Sequence, residues 1–124
     1  LPSNMLLWGR ANGQNELAAL YSAAKATVIV SERETFSMVT AESLCCGTPV
    51  VGFKAGGPES IALTEYAKFV EYGKVEKLCQ SLQNVLAKEW NNEVIADESR
   101  NRYAREVMTK GYINVYKQLI NDEK

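Results

Sequence analysis

Two glutamates, Glu34 and Glu42, stand eight residues apart between two strand-like runs and are the residues best suited to chemistry. The first run, Ala26 to Val30, is short, apolar and rich in β-branched residues, which predicts a strand buried on both faces. After a loop, small and apolar residues recur at helical spacing, and Gly47 stands where a left-handed C-cap would end the helix. A second buried strand is predicted to begin at 49-51. The segment is therefore a predicted β-α-β unit.

The N-terminus of that predicted helix would bind an anion. In β-α-β folds, ligands bind beyond the C-terminal ends of the strands, where the connecting helix begins. The backbone amides of Phe36, Ser37 and Met38 have no acceptor within the helix and would attract a phosphate. Because an ionised carboxylate only accepts hydrogen bonds, one glutamate on either side suits hydroxyl-bearing groups at both ends of a diphosphate. A nucleoside diphosphate sugar has that pattern.

Six features follow one another in a fixed order along nearly the whole chain. They are Trp8-Gly9, Leu17-Ala-Ala-Leu-Tyr21, Val28-Ile-Val-Ser31, Glu34 with Glu42, Cys46-Gly-Thr-Pro-Val-Val51 and Gly56-Gly57. At these residues the chain resembles the C-terminal, donor-binding domain of retaining glycosyltransferases of family 4, which have the two-domain GT-B fold. A pair of glutamates alone occurs often by chance, whereas six features in the right order are a specific signal.

The resemblance assigns roles to individual residues. It implies that Glu42 binds the ribose hydroxyls of the donor. It implies that Glu34 is catalytic, contacting the transferred sugar and stabilising positive charge that develops near the anomeric centre. The other implied donor-binding residues are those of the loop and helix start, whose amides would hold the diphosphate, and those that follow the first strand: Thr35, Phe36, Ser37, Met38, Gly9 and Arg10.

Each of these assignments competes with a plainer interpretation. Glu42 could simply be a solvated residue on a helix surface. Glu34 could be a common acid near a helix N-terminus, where the macrodipole stabilises an acid by about 0.3 to 1 kcal/mol. Arg10 is near a strand end where a diphosphate would sit, but solvated arginines are common. The family more often has Gly-Phe-Gly after the first glutamate, and Thr35-Phe36-Ser37 limits how closely a ligand can approach the backbone.

The predicted fold is α/β. The resemblance implies a three-layer, Rossmann-like parallel sheet of about four strands, part of a GT-B C-terminal domain, with C-terminal helices over about 93-121. One domain would span residues 1-124. Apolar runs and periodicity predict strands at Met5 to Trp8 and Lys68 to Tyr72, and helices from about Asn15 to Lys25 and Val75 to Lys88. After Gly111, a last helix is apolar over more than one face.

The family's C-terminal domain has strands in the order 3-2-1-4-5-6, and by the resemblance this chain begins at the third. The chain also starts at Leu1 without an initiator Met, which indicates a piece of a longer protein. The edge of the Ala26 to Val30 strand would then be uncovered, so we expect the fragment to self-associate. We also expect it to be inactive alone, because it would lack the basic residues that the family places on the loops of its first two strands to neutralise the diphosphate.

Composition excludes several classes of protein. A length of 124 residues with 46% hydrophobic content fits one domain, and a net charge of −1 gives no footprint for nucleic acid. No apolar run reaches about 18 residues, so no membrane span is predicted. Three cysteines, two of them adjacent, indicate reduced thiols and therefore a protein of the cytoplasm. The protein would be either free there or peripheral at the inner face of the membrane. Without histidine or Cys-x-x-Cys, no zinc site is expected.

The implied activity belongs to the full-length protein. It would be a hexosyltransferase of polysaccharide biosynthesis that moves a sugar from a nucleotide sugar to a glycan or lipid-linked acceptor, with retention and without a metal or cofactor. The absence of an Asp-x-Asp motif agrees with this. The alternative is a non-enzymatic nucleotide- or phosphate-binding α/β module. A receiver-like signalling domain needs an acidic cluster at strand ends, and the only aspartates, Asp97 and Asp122, lie at no predicted strand end.

Overall fold

Three short parallel strands form the centre of the molecule in a computed structural model that describes residues 1-122. They are β1 (Thr27–Ile29), β2 (Val50–Phe53) and β3 (Ala67–Val70), and β2 lies between the other two. The register pairs Val51 with Val28 on one side and with Lys68 on the other. The last two residues of the predicted domain, 123-124, lie outside the described part.

Helices connect the strands, because parallel neighbours cannot be joined by a tight turn. Within the described residues they are α1 (Gln14–Ala23), α2 (Met38–Cys45), α3 (Gly57–Ile61), α4 (Val75–Ala87), α5 (Asn92–Tyr103) and α6 (Arg105–Asp122). The order β1-α2-β2-α3-β3 confirms the predicted β-α-β unit and the α/β fold.

Helices cover both faces of the sheet, which gives three layers. On one face, Val50 packs with Leu44 of α2 and Ile95 of α5. On the other face, Val51 packs with Leu78 of α4. Successive side chains of a strand point to opposite faces, so the adjacent valines of β2 serve different layers. The prediction of a three-layer, Rossmann-like parallel sheet is confirmed.

The prediction of a strand at Met5 to Trp8 is wrong. The sheet of the described residues has three strands instead of about four. The segment from Met5 to Trp8 makes no sheet pairing, and its side chains are exposed. The Trp8 indole Nε1–H donates to Glu16 Oε1 at 2.8 Å. An apolar run becomes a strand only when neighbouring backbone takes its hydrogen bonds, and no described strand lies beside this one.

The first strand, β1, is less buried than its composition predicted. Ile29 is buried, but Val28 is 42% exposed and Val30 is 61% exposed. The reason is that α4 packs on β2 and β3, while β1 lies at the edge of the sheet. The prediction that this strand has an uncovered edge is confirmed among the described residues.

The C-terminal part forms two helices whose bounds differ from those predicted. Of the helices predicted over about 93-121, α5 stops at Tyr103 and α6 already begins at Arg105, so Gly111 lies inside a helix and not before one. Apolar side chains of α6 are exposed over much of its length, among them Tyr112, Ile113, Tyr116 and Ile120. No helix of the described residues is both long and apolar enough to cross a bilayer.

Gly47 ends α2 as predicted, with a left-handed φ of 84°. A Cβ at this position would lie 2.5 Å from the backbone oxygen of Asn92, where α5 begins. Asn92 also donates from Nδ2 to the carbonyl of Gly47 at 2.8 Å. The end of α2 is therefore packed directly on the start of α5.

We expect Gly47→Ala to lower the free energy of unfolding by roughly 3 kcal/mol or more, because strain in the left-handed conformation adds to a clash with Asn92. Gly73→Ala is the matched control, since Gly73 has a φ of 86° and nothing within 4 Å of the added Cβ. The control should lose only about 1 to 2 kcal/mol. Urea unfolding of both variants measures the difference. Equal losses would show that the contact with α5 contributes nothing.

Candidate functional site

An open cleft of about 670 Å³ lies at the loop that follows β1. The cleft is lined by residues of this loop, by the start of α2 and by a single residue of the turn that follows β2. The lining residues are Arg33, Glu34, Thr35, Phe36, Ser37, Met38 and Ala55. The structure thus brings the predicted catalytic Glu34 together with the four predicted diphosphate-binding residues. The cleft is the candidate site.

Glu34 is held by backbone hydrogen bonds to the turn that follows β2. Its N–H donates to the carbonyl of Ala55 at 2.9 Å, and its own carbonyl accepts the N–H of Gly57 at 2.9 Å. These bonds form an isolated parallel bridge between Glu34 and Gly56. Ser31 donates from Oγ to Glu34 Oε1 at 2.7 Å. The carboxylate is therefore fixed, and its Oε2 accepts no hydrogen bond from residues 1-122.

The turn itself is locked by Glu59, a residue that the sequence did not identify as part of the site. Its Oε2 accepts the N–H of Ala55 at 2.8 Å, and its Oε1 accepts the N–H of Gly56. Gly57 has no room for a side chain, because a Cβ there would lie 2.8 Å from the carbonyl atoms of Thr35. A glutamate at the third position of a helix that opens with Gly-Pro can accept the N–H of the N-cap residue, and this half of a capping box is the signal that identifies this lock.

The start of α2 is capped by a strained residue. Ser37 has a φ of 74° and is the one non-glycine residue with a positive φ in the described chain. Its Oγ accepts the N–H of Thr40 at 3.3 Å and pairs with the Thr40 hydroxyl at 2.8 Å. Ser37 is only 6% exposed, so its hydroxyl caps the helix. A left-handed serine costs about 1 to 3 kcal/mol, which marks the site of a sharp turn into α2.

Four consecutive backbone N–H groups at this turn are free donors. Those of Thr35, Phe36, Ser37 and Met38 make no hydrogen bond to any other described residue. The predicted amide donors are therefore present. The positive end of the helix dipole reinforces them, so the cleft suits an anion.

Glu42 lines a different space. It lies in a groove of about 250 Å³ between α1 and α2, together with Leu17, Tyr21, Cys45 and other residues of these helices. The two glutamates therefore line separate clefts, both of which include residues of α2.

Tyr21 contacts Glu42 across this groove, although the two residues are far apart in sequence. Its phenol donates to Glu42 Oε2 at 3.1 Å. Burial of the ring and the nearby Glu42 carboxylate raise the pKa of Tyr21 to about 12. The phenol thus remains a hydrogen-bond donor at neutral pH. Tyr21 was not a predicted site residue, because only the fold brings it to Glu42.

Gly9 and Arg10 lie outside the lining of both clefts. Gly9 has a φ of 82° and open space around it. Arg10 is exposed and makes no ion pair with another described residue. Gly9 and Arg10 lie away from the clefts because residues 5-8 form no strand. A strand there would have placed the two residues at the edge of the sheet, beside the ends of the other strands.

A metal centre would need several ligating side chains close together. The described residues contain no group of three or more side chains of histidine, cysteine, aspartate or glutamate that would hold an ion. Glu34 is the one carboxylate among the side chains that line the cleft.

The sequence is similar to known transferases. The chain is 24% identical to an N-acetyl-alpha-D-glucosaminyl L-malate synthase of Bacillus anthracis over 116 residues, which cover 90% of this chain and 30% of that protein. It is 50% identical over 44 residues to a D-inositol 3-phosphate glycosyltransferase of Streptosporangium roseum, covering 36% of this chain and 10% of that protein. For the protein of the same name from Segniliparus rotundus the identity is 40% over 60 residues, covering 48% and 13%.

The chain thus spans less than a third of the length of these relatives. A family model described as "Glycosyl transferases group 1" matches residues 1–107, which is most of the chain. The order of its motifs, its parallel sheet and this match agree, and the chain belongs to the group 1 glycosyl transferase family.

Proposed function

We propose that this chain is the donor-binding part of a retaining glycosyltransferase of family 4, which transfers a hexose from a nucleoside diphosphate sugar. One observation carries the donor site: the fixed carboxylate of Glu34 lies in the same cleft as four backbone N–H groups that find no acceptor among residues 1-122. Free amides at a helix start favour a diphosphate, and a carboxylate favours the cationic character that a sugar acquires as its bond to the leaving group breaks.

Within this proposal each group has one task. The amides of residues 35-38 and the side chain of Arg33 meet the negative charge that develops on the leaving diphosphate, so transfer proceeds without a metal or an added cofactor. Glu34 stabilises positive charge near the anomeric carbon. Glu42, in the groove beside α1, accepts hydrogen bonds from the ribose hydroxyls. Groups that are already oriented need no reorganisation as charge develops.

The acceptor is proposed to be a glycan or a lipid-linked sugar in polysaccharide biosynthesis, and to bind a further domain of the protein. Transfer would take place in the cytoplasm or at the inner face of the membrane. The names of the relatives include L-malate and D-inositol 3-phosphate. A panel of acceptors for the full-length protein therefore includes these two small molecules beside oligosaccharides and lipid-linked sugars.

We expect Glu42→Ala to weaken binding of the free nucleoside diphosphate as well as the donor. Loss of a charged hydrogen-bond acceptor costs about 1.5 to 3 kcal/mol, which corresponds to roughly a tenfold to hundredfold higher Kd. Calorimetry on the full-length protein with uridine, guanosine and adenosine diphosphates measures this. Glu76→Ala is the control, since Glu76 lies in the first turn of α4, outside both clefts. Equal affinity of the wild type, Glu42→Ala and Glu76→Ala for the nucleoside diphosphate would exclude Glu42 from the donor site.

Glu34→Gln should lower kcat by roughly a hundredfold or more and leave affinity for the nucleoside diphosphate nearly unchanged, because its proposed contact strengthens during transfer. Glutamine keeps an oxygen that can accept the Ser31 hydroxyl, so the fold should be preserved. Steady-state kinetics with and without divalent metal, together with thermal unfolding, test this. Near-normal turnover would remove Glu34 from catalysis. Tight nucleotide binding without any sugar transfer by the wild type would favour the non-enzymatic module.

A further inference from the structure

The groove between α1 and α2 contains a hydrogen bond that the proposed function does not use. We propose that Tyr21 is a positioning residue, which orients the carboxylate of Glu42 toward the ribose of the donor. This inference rests on the proposed role of Glu42. The phenol of Tyr21 donates to Glu42 Oε2 at 3.1 Å, and both side chains line the groove. Glu42 Oε1 accepts no hydrogen bond from the described residues and is left for the ligand.

The main chain of Tyr21 is fixed independently of its phenol. Its carbonyl accepts the hydroxyl of Thr48, a fully buried residue between α2 and β2. The same carbonyl accepts the N–H of Ala24 at 3.2 Å. The residue is thus anchored to the core at its backbone, while its ring reaches α2 at Glu42. A donor held in this way is a rigid reference point for a flexible carboxylate.

The benefit of such a donor is a smaller loss of freedom when the ligand binds. A partly exposed glutamate on a helix has many rotamers, and ordering such a side chain when a ligand binds costs affinity. A phenol that restrains the carboxylate beforehand moves this cost into folding. A tyrosine phenol is protonated at neutral pH, so its single hydrogen is available to Glu42.

Tyr21→Phe removes the hydroxyl and keeps the ring in the groove. In the full-length protein, the Kd of the nucleoside diphosphate that binds most tightly, and the KM of the corresponding donor, should rise about fivefold to tenfold. The kcat should stay within about twofold, because the ribose is remote from the reacting bond. Tyr66→Phe is the matched control: Tyr66 donates to Glu98 Oε2 at 2.6 Å, outside both clefts. It should leave Kd and KM unchanged.

Two further measurements separate positioning from a structural role. In a Glu42→Ala background, Tyr21→Phe should cause no additional loss of affinity, because it acts through the missing carboxylate. A 2′,3′-dideoxynucleoside diphosphate, which offers Glu42 no hydroxyl, should bind the wild type and Tyr21→Phe equally. Three results would overturn the inference. They are an equal loss of affinity when Tyr21→Phe is added to Glu42→Ala, weaker binding of the dideoxynucleoside diphosphate to Tyr21→Phe than to the wild type, and a fall in kcat without a change in KM.

The outcome also distinguishes this inference from the function on which it rests. If Glu42→Ala leaves nucleotide affinity unchanged, the proposed role of Glu42 fails and that of Tyr21 fails with it. If Glu42→Ala weakens binding while Tyr21→Phe does not, only the role of Tyr21 is overturned.

Discussion

The backbone bridge between Glu34 and the turn at 55-57 is the interaction on which the candidate site depends. β1 and β2 end side by side, but nothing in a parallel pair of strands fixes the loops that leave them. Two hydrogen bonds of 2.9 Å continue the pairing beyond the strands and bring the loop after β1 against the turn after β2. Gly57 permits this approach, and Glu59 holds the turn by its amides. The position of the Glu34 carboxylate follows from these contacts.

Helix α2 connects the two clefts, and buried polar groups hold it in place. The Ser43 hydroxyl donates to the Thr48 carbonyl at 2.9 Å and pairs with the Thr27 hydroxyl at 2.8 Å, which ties α2 to both β1 and the residues just before β2. Leu44 is fully buried in the core that β2 shares with α5. Because one rigid helix contributes Met38 to the cleft and Glu42 to the groove, the spacing between the two sites is set by packing. A ligand that occupied both would find them at a fixed separation.

Local signals predicted the parts of this structure that depend on local geometry. Gly47 ends α2 because a residue without a side chain is needed at a left-handed position, and this rule can be read from sequence. Met5 to Trp8 has the composition of a strand but lacks a partner, and pairing is a non-local property. The contact between Tyr21 and Glu42 joins residues that no helical or strand period relates. For this reason the sequence identified the glutamate and missed the tyrosine.

The cleft combines an acid with a turn of backbone N–H donors, an arrangement that is unfavourable for an anion unless the acid and the donors face different parts of the ligand. The amides of residues 35-38 are dipoles without an acceptor in the described part of the chain, while Glu34 Oε1 already accepts the Ser31 hydroxyl. In the proposed mechanism, the amides face the departing diphosphate and the carboxylate faces the sugar, so each meets charge of the opposite sign. The left-handed conformation of Ser37 turns the chain sharply into α2 at this point, at a conformational cost that core packing offsets. The strained residue is thus Ser37, at which the turn with its free amides ends and helix α2 begins.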